Sequence, residues 1–101
     1  MRKNNSNLNA AKVSPEEIVE RALKKVEAGN NRYKNRWLPA ITKASVIFTS
    51  NDAITISDMH DRLEKYQTTQ NECNCTAAMN NNPCYHRAYV LLRLRFAEAN
   101  V

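Results

Sequence analysis

The first regular pattern in the chain is amphipathic and begins near residue 14. The sequence Ser-Pro-Glu-Glu at positions 14–17 is a capping box, in which Ser14 accepts from the amide of Glu17 and proline occupies the first turn. Gly29 is a natural C-terminal cap, so we expect a helix between these two signals. Apolar residues recur at spacings of three and four along its inner face: Ile18, Val19, Ala22, Leu23 and Val26.

The middle of the chain is predicted to form strands. Residues 30–36 lack apolar periodicity and should be a loop, and residues 37–38 begin a short strand that Pro39 limits. Residues 44–49 and 53–57 then alternate between apolar and polar side chains, as the two strands of a β-hairpin do. This part of the chain therefore predicts a small antiparallel sheet.

The hairpin turn is predicted at Ser50-Asn51-Asp52, and the core-facing side chains at Phe48, Ile54 and Ile56. Beyond it, Asp58 can cap a short helix with Met59, Leu63 and Tyr66 on one side. Residues 66–69 could instead be an extended segment that enters the cysteine cluster.

Residues 85–97 are apolar with interspersed arginine and predict a second long helix. Its inner face follows helical spacing: Tyr85, Ala88, Tyr89, Leu92 and Phe96. No internal repeat or long linker separates it from the first helix, so both helices should pack on the small sheet. The predicted fold class is α+β, with an antiparallel sheet between an N-terminal and a C-terminal helix. Residues 13–101 form one domain, and residues 1–12 form a flexible basic arm.

Length and composition are those of one globular domain. The chain has 101 residues, of which 43% are hydrophobic and 25% charged, which is ordinary for a folded protein. No segment approaches the roughly 20 apolar residues that span a bilayer, and no apolar stretch follows the positive charge at the start. We therefore expect an intracellular protein with no membrane partner.

Positive charge is concentrated in the first part of the chain. The formal net charge is +5, and residues 1–43 hold ten of the fifteen Lys and Arg residues but four of the ten Asp and Glu residues. Such an excess favours polyanions, chiefly nucleic acid, although it can simply keep a protein soluble. Cations beside aromatic rings, as in residues 32–37, are suited to bind phosphates and exposed bases. The alternative interpretation of this segment is a solvated loop with Trp37 buried as a core residue. The candidate nucleic-acid contacts are Arg32, Lys34, Arg36 and Arg87.

Three cysteines and a histidine lie together in the last third of the chain. The pattern is Cys73-Asn74-Cys75, eight intervening residues, then Cys84-Tyr85-His86. Residues two apart point the same way in extended backbone, so Cys73 and Cys75 can meet at one ion. Residues two apart in a helix are separated by about 200° around its axis, so Cys84 and His86 could not both reach one ion from within a helix. Cys84 must therefore precede the second helix, and His86 must project from its first turn. Three thiolates and one imidazole suit one tetrahedral Zn²⁺ ion.

Four protein ligands leave no open coordination position, so this zinc should be structural and the protein should not be an enzyme. Two alternatives remain open. The cysteines could be small buried hydrophobes beside a surface histidine, or Cys84 and His86 could form a nucleophile pair. The second lacks a group to orient the imidazole and a glycine-built pocket. His60 could compete as the fourth ligand, but local spacing favours His86.

With these residues in view, the chain resembles the SWIM zinc-finger family. That family's pattern is Cys-x-Cys, a variable loop and Cys-x-His, and the resemblance covers residues 66–97. It implies binding of DNA or of protein without choosing between them, and among nucleic acids it favours DNA over RNA. A basic residue often lies between the last two ligands of the family, whereas this chain has Tyr85 there, which weakens a phosphate contact at that turn.

Two functions follow as hypotheses. The first is a small zinc-binding protein that binds nucleic acid through its basic residues. The second is a protein-interaction module, an adaptor or inhibitor that docks on a larger nucleic-acid-processing enzyme. Neither hypothesis involves a small-molecule substrate.

Overall fold

The computed structural model describes residues 12–75 and 83–101. Within these residues the chain forms four helices: α1 (Pro15–Glu27), α2 (Asn31–Phe48), α3 (Ala53–Lys65) and α4 (Tyr85–Ala99). None of the described residues lies in a strand. The predicted α+β class with an antiparallel sheet is therefore wrong, and this part of the protein is all-helical. The predicted arm lies outside the described residues except for Lys12.

Helix α1 follows the capping signal. The Ser14 hydroxyl accepts a hydrogen bond from the Glu17 amide at 3.2 Å, and Pro15 occupies the first turn. One turn later, Glu17 pairs with Arg21 at 2.7 Å on the exposed face. The helix is capped at Ala28, and a side chain at Gly29 would stand 2.8 Å from the Tyr33 ring. Gly29 is therefore needed for a close approach between α1 and α2.

Helix α2 replaces the loop and the first two predicted strands. Its N-cap is Asn30, whose side chain accepts from the Tyr33 amide at 2.9 Å. Pro39 lies inside the helix, at a cost of about 3 kcal/mol, because proline removes a backbone hydrogen bond. Burial of side chains at helical spacing offsets that cost. The short stretch of alternating apolar and polar residues at 44–49 concealed this helical pattern in the sequence. The buried or half-buried residues of α2 that pack in the core include Trp37, Leu38, Ala40, Ile41, Ala44, Ile47 and Phe48.

Helix α3 replaces the second half of the predicted hairpin. The Asp52 carboxylate accepts from the Ile54 amide at 3.2 Å and from the Thr55 hydroxyl at 2.6 Å, so Asp52 begins a helix instead of completing a hairpin turn. The Thr55 and Ile54 donors also hold the pKa of Asp52 below its ordinary value. The predicted cap Asp58 lies within the helix and pairs with Arg62 at 3.0 Å.

The predicted core residues of the hairpin differ in burial in the helical structure. Ile54 is 79% exposed, so its assignment to the core is wrong. Ile56 is half-buried. Phe48 does pack on the core, edge-on against Tyr89 and Phe96 with ring centroids 6.1 and 6.0 Å apart.

The core lies between α2 and α4, which make the most extensive helix contact, with α1 packed on both. Ile41, Met59 and Leu92 are its largest fully buried side chains, so α3 contributes through Met59. At the far end of α4, Asn100 accepts from the Val13 amide at 2.8 Å and donates to the Val13 carbonyl at 3.1 Å. None of the described helices combines the length and hydropathy needed to cross a bilayer.

We predict that Ile41→Ala lowers the free energy of unfolding by about 2–5 kcal/mol, because it leaves a cavity between the central helices. Val46→Ala is the matched control, since Val46 lies on the same helix and is 69% exposed. It should change the free energy by no more than about 0.5 kcal/mol. Urea titration followed by circular dichroism measures both, and equal effects would contradict the described core.

Candidate metal centre

The two halves of the ligand set come from opposite sides of residues 76–82. Cys73 and Cys75 belong to the segment that follows α3, and Cys84 and His86 belong to the start of α4. As predicted, Cys84 precedes the helix as its N-cap, and His86 projects from the first turn.

The segment that carries Cys73 and Cys75 is folded back by local backbone bonds. Gln67 adopts a positive φ of 48°, which reverses the chain at the end of α3, and the Thr68 amide donates to the Leu63 carbonyl at 2.9 Å. The Asn74 amide then donates to the Tyr66 carbonyl at 3.3 Å. The residue between the two cysteines is thus tied to the end of α3.

The four side chains converge on one point. The ligand atoms of Cys73, Cys75, Cys84 and His86 all lie within 4.8 Å of one another. Cys75, Cys84 and His86 are 7%, 3% and 4% exposed, and Cys73 is half-buried. These four residues could hold one metal ion, as the sequence pattern predicts. His60 lies on α3, exposed and outside this cluster, with Nε2 3.5 Å from the Tyr89 hydroxyl oxygen.

One distance within the cluster is close to that between two ligands of a tetrahedral ion. Zinc–sulfur and zinc–nitrogen bonds of about 2.3 and 2.0 Å at a tetrahedral angle place sulfur and nitrogen about 3.5 Å apart. The Sγ of Cys73 lies 3.8 Å from Nδ1 of His86. The Nε2 atom of His86 is buried with no hydrogen-bond partner among the described residues. Only one ring nitrogen can bind a given ion, so coordination through Nδ1 would leave Nε2 as the N–H group of the neutral ring.

Neighbouring groups hold the ligands in place. The Cys84 sulfur accepts from the Arg87 amide at 3.5 Å, and the Thr68 hydroxyl lies 3.2 Å from the Cys73 sulfur. The His86 ring stands between two tyrosines, with centroids 4.2 Å from Tyr85 and 5.3 Å from Tyr66. Sequence reasoning missed the contacts of Tyr66 and Thr68, because only the chain reversal after α3 brings these residues to the cluster.

Burial shapes the protonation of the ligands. Desolvation raises the pKa of the Cys84 thiol to about 12, so the metal-free thiol is protonated at neutral pH. Desolvation also lowers the pKa of His86, with further lowering by the charges of Arg62 and Lys43. The imidazole is therefore neutral and available as a ligand, whereas the Cys84 thiol must lose its proton when a metal binds.

The predicted nucleic-acid contacts do not form one cluster. Arg32 and Arg36 are exposed on one side of α2, and Lys34 projects roughly opposite to them, since residues two apart differ by about 200°. Arg87 is half-buried beside the metal centre. Its Nε donates to the Gln70 carbonyl at 3.2 Å, and its guanidinium lies 5.1 Å from the centroid of the Trp37 ring.

Lys43 is a cation near the site that sequence reasoning did not select. Its ammonium lies 4.2 Å from the centroid of the Tyr85 ring, and with Pro39 and Tyr66 it lines a groove of about 380 Å³ that borders Cys84 and His86. The signal that could have found it is helical spacing from Arg36, which the predicted strands obscured.

Comparison with protein-family models, with curated proteins and with solved structures found no match to the chain. The Cys/His cluster by itself does not assign a family, so the resemblance to SWIM zinc fingers stays a prediction.

We predict that the apparent affinity for Zn²⁺ rises with pH between pH 6 and 8. Because the Cys84 thiol binds a proton that the metal complex lacks, affinity should increase by about tenfold or more per pH unit. Competition with a chromophoric chelator at several pH values measures this dependence. An affinity that is constant across the range would contradict the protonation described here.

Proposed function

We propose that this protein is a small, non-enzymatic zinc-binding protein whose single metal ion is structural. The convergence of four ligand atoms within 4.8 Å supports this proposal. A donor set of three thiolates and one imidazole is typical of structural zinc, and the four protein ligands would leave no position for water or substrate. Zinc would be bound by the sulfurs of the three cysteines and by one ring nitrogen of His86.

The ion would fasten the segment after α3 to the first turn of α4. Zinc binding at such a site contributes on the order of 10–16 kcal/mol at neutral pH, comparable with the whole stability of a domain of this size. The metal would therefore decide whether residues 66–75 keep their place against the helices.

We expect the purified protein to contain about one zinc ion per chain, and we expect His86→Ala to lose it, since a buried ligand is removed. His60→Ala is the matched control, because it changes the other histidine of the chain and leaves the cluster intact. Elemental analysis after dialysis gives the stoichiometry. Metal-free wild-type protein, or equal zinc in the two variants, would refute the proposal.

A second candidate function is binding of nucleic acid along one side of α2. This helix contains four cations and no carboxylate, unlike the other three described helices. Arg32, Arg36 and Lys43 fall within about 40° of one another around the helix axis, over a length of about 16 Å. We call these three residues the α2 basic face. Cations grouped on a helix whose own sequence holds no carboxylate favour a polyanion.

The α2 basic face revises the predicted contact set. Lys34 lies on the other side of the helix, and Arg87 is occupied beside the metal centre. The protein-interaction hypothesis stays a prediction, and absence of nucleic-acid binding at low salt would favour it.

We expect the affinity of the zinc-loaded protein for a short DNA to fall steeply between about 50 and 200 mM salt, because bound phosphates release counterions. The Arg32→Ala/Arg36→Ala variant should reduce the slope of log affinity against log salt by about 0.7–0.9 for each phosphate that the protein no longer neutralises. Lys34→Ala is the control that removes a cation from the opposite side. Fluorescence anisotropy measures the slopes, and equal slopes in both variants would exclude the α2 basic face.

A further inference from the structure

Arg87 contacts three separate parts of the structure beside the metal centre. Its amide donates to the Cys84 sulfur at 3.5 Å, and its Nε donates to the Gln70 carbonyl at 3.2 Å. Its guanidinium carbon stands 5.1 Å from the centroid of the Trp37 ring on α2. The side chain is half-buried.

These contacts join the two halves of the ligand set. Gln70 belongs to the segment that carries Cys73 and Cys75, and Arg87 directly follows the other two ligands on α4. A bond between Arg87 and Gln70 therefore sets the position of one pair of ligands against the other. The contact with Trp37 fixes the guanidinium itself, because α2 is packed into the core through Ala40, Ile41 and Ala44.

Arginine suits this place for a geometric reason. Its guanidinium is planar, so it can lie against an aromatic ring with one face while its N–H groups donate in the plane. Lysine has a compact ammonium and cannot hold both contacts with one fixed geometry. The site therefore uses the shape of the side chain as well as its charge.

We propose that Arg87 is a positioning residue of the metal centre, which holds the Cys73 and Cys75 segment against α4 by bridging Trp37 and the Gln70 carbonyl. This inference rests on the proposed zinc binding. It assigns Arg87 to metal affinity and removes it from the predicted nucleic-acid contacts. Groups that orient metal ligands typically change metal affinity by about 10–100-fold when they are removed.

The test compares the zinc affinities of full-length variants by competition with a chromophoric chelator. Arg87→Ala should bind zinc about 10–100-fold more weakly than wild type. Arg87→Lys should recover part of the loss at most, since it keeps the charge but not the planar fork. Arg93→Ala is the matched control on the same helix, because the Arg93 guanidinium is exposed and lies 6.0 Å from the Tyr89 ring centroid, away from the ligands. Its affinity should stay within about twofold of wild type.

A double-mutant cycle separates this role from general destabilisation. If Arg87 acts through its contact with Trp37, the loss in Trp37→Leu/Arg87→Ala should fall short of the product of the two single losses by more than about twofold. If the two substitutions act independently, the loss of zinc affinity in the double variant equals the product of the two single losses. That result would overturn the bridge through Trp37.

The outcomes distinguish this inference from the proposed function. Wild-type protein without stoichiometric zinc would remove both. One zinc per chain in wild type, with Arg87→Ala as tight as Arg93→Ala, would overturn only the role of Arg87. If Arg87→Ala loses its helical circular dichroism even with zinc, Arg87→Lys is compared with Arg93→Lys instead. Equal zinc affinities of these two variants would then overturn the role of Arg87.

Discussion

Two short segments of this chain can share one metal ion only if each presents its pair of ligands in the right backbone conformation, and most of the local structure serves that condition. Cys84 is the N-cap of α4 and has extended backbone. Its side chain is therefore not held about 200° around the helix axis from that of His86, which lies in the first turn. The other pair depends on the chain reversal at Gln67. With three thiolates around Zn²⁺ the centre would carry one net negative charge, and the charges of Lys43 and Arg62 reach it from neighbouring helices.

Helix α2 connects this centre to the rest of the molecule. One side of it supplies Ile41 and Ala44 to the core, and another carries the α2 basic face. Trp37, beside the core side, and Lys43, on the α2 basic face, contact residues that flank the metal ligands. A change in the position of α2 would therefore alter the packing, the charged surface and the surroundings of the ligands together. This coupling is expected in a small protein, where one helix must serve several purposes.

The sequence predicted what depends on residues close together in the chain and failed where distant packing decides. The Ser14 N-cap of α1 and the start of α4 after Cys84 depend on local chemistry, and both predictions are confirmed. The grouping of the four ligand residues was also recognised, because both Cys-x-Cys and Cys-x-His place their constraints within three residues.

The failure from residue 30 to residue 57 has a physical origin. A stretch of six residues that alternates between apolar and polar fits a strand, but it also fits about two turns of a helix whose apolar face is buried against α4. Pro39 argued against a continuous helix, the β-branched residues favoured a strand locally, and Asp52 can begin either a turn or a helix. Burial of Ile41 and Ala44 against α4 decides for the helix, and it leaves Val46 and Ile54 exposed. No property of residues 30–57 alone contains that information.

The paired bonds between Asn100 and Val13 make the amide of one side chain imitate a strand partner for a single residue of backbone. They bring the entry to α1 beside the exit from α4. A partner fused before α1 and a partner fused after α4 would therefore start from the same place on the surface. Engineering that joins the two ends, as in a circular permutation, would have only a short gap to span.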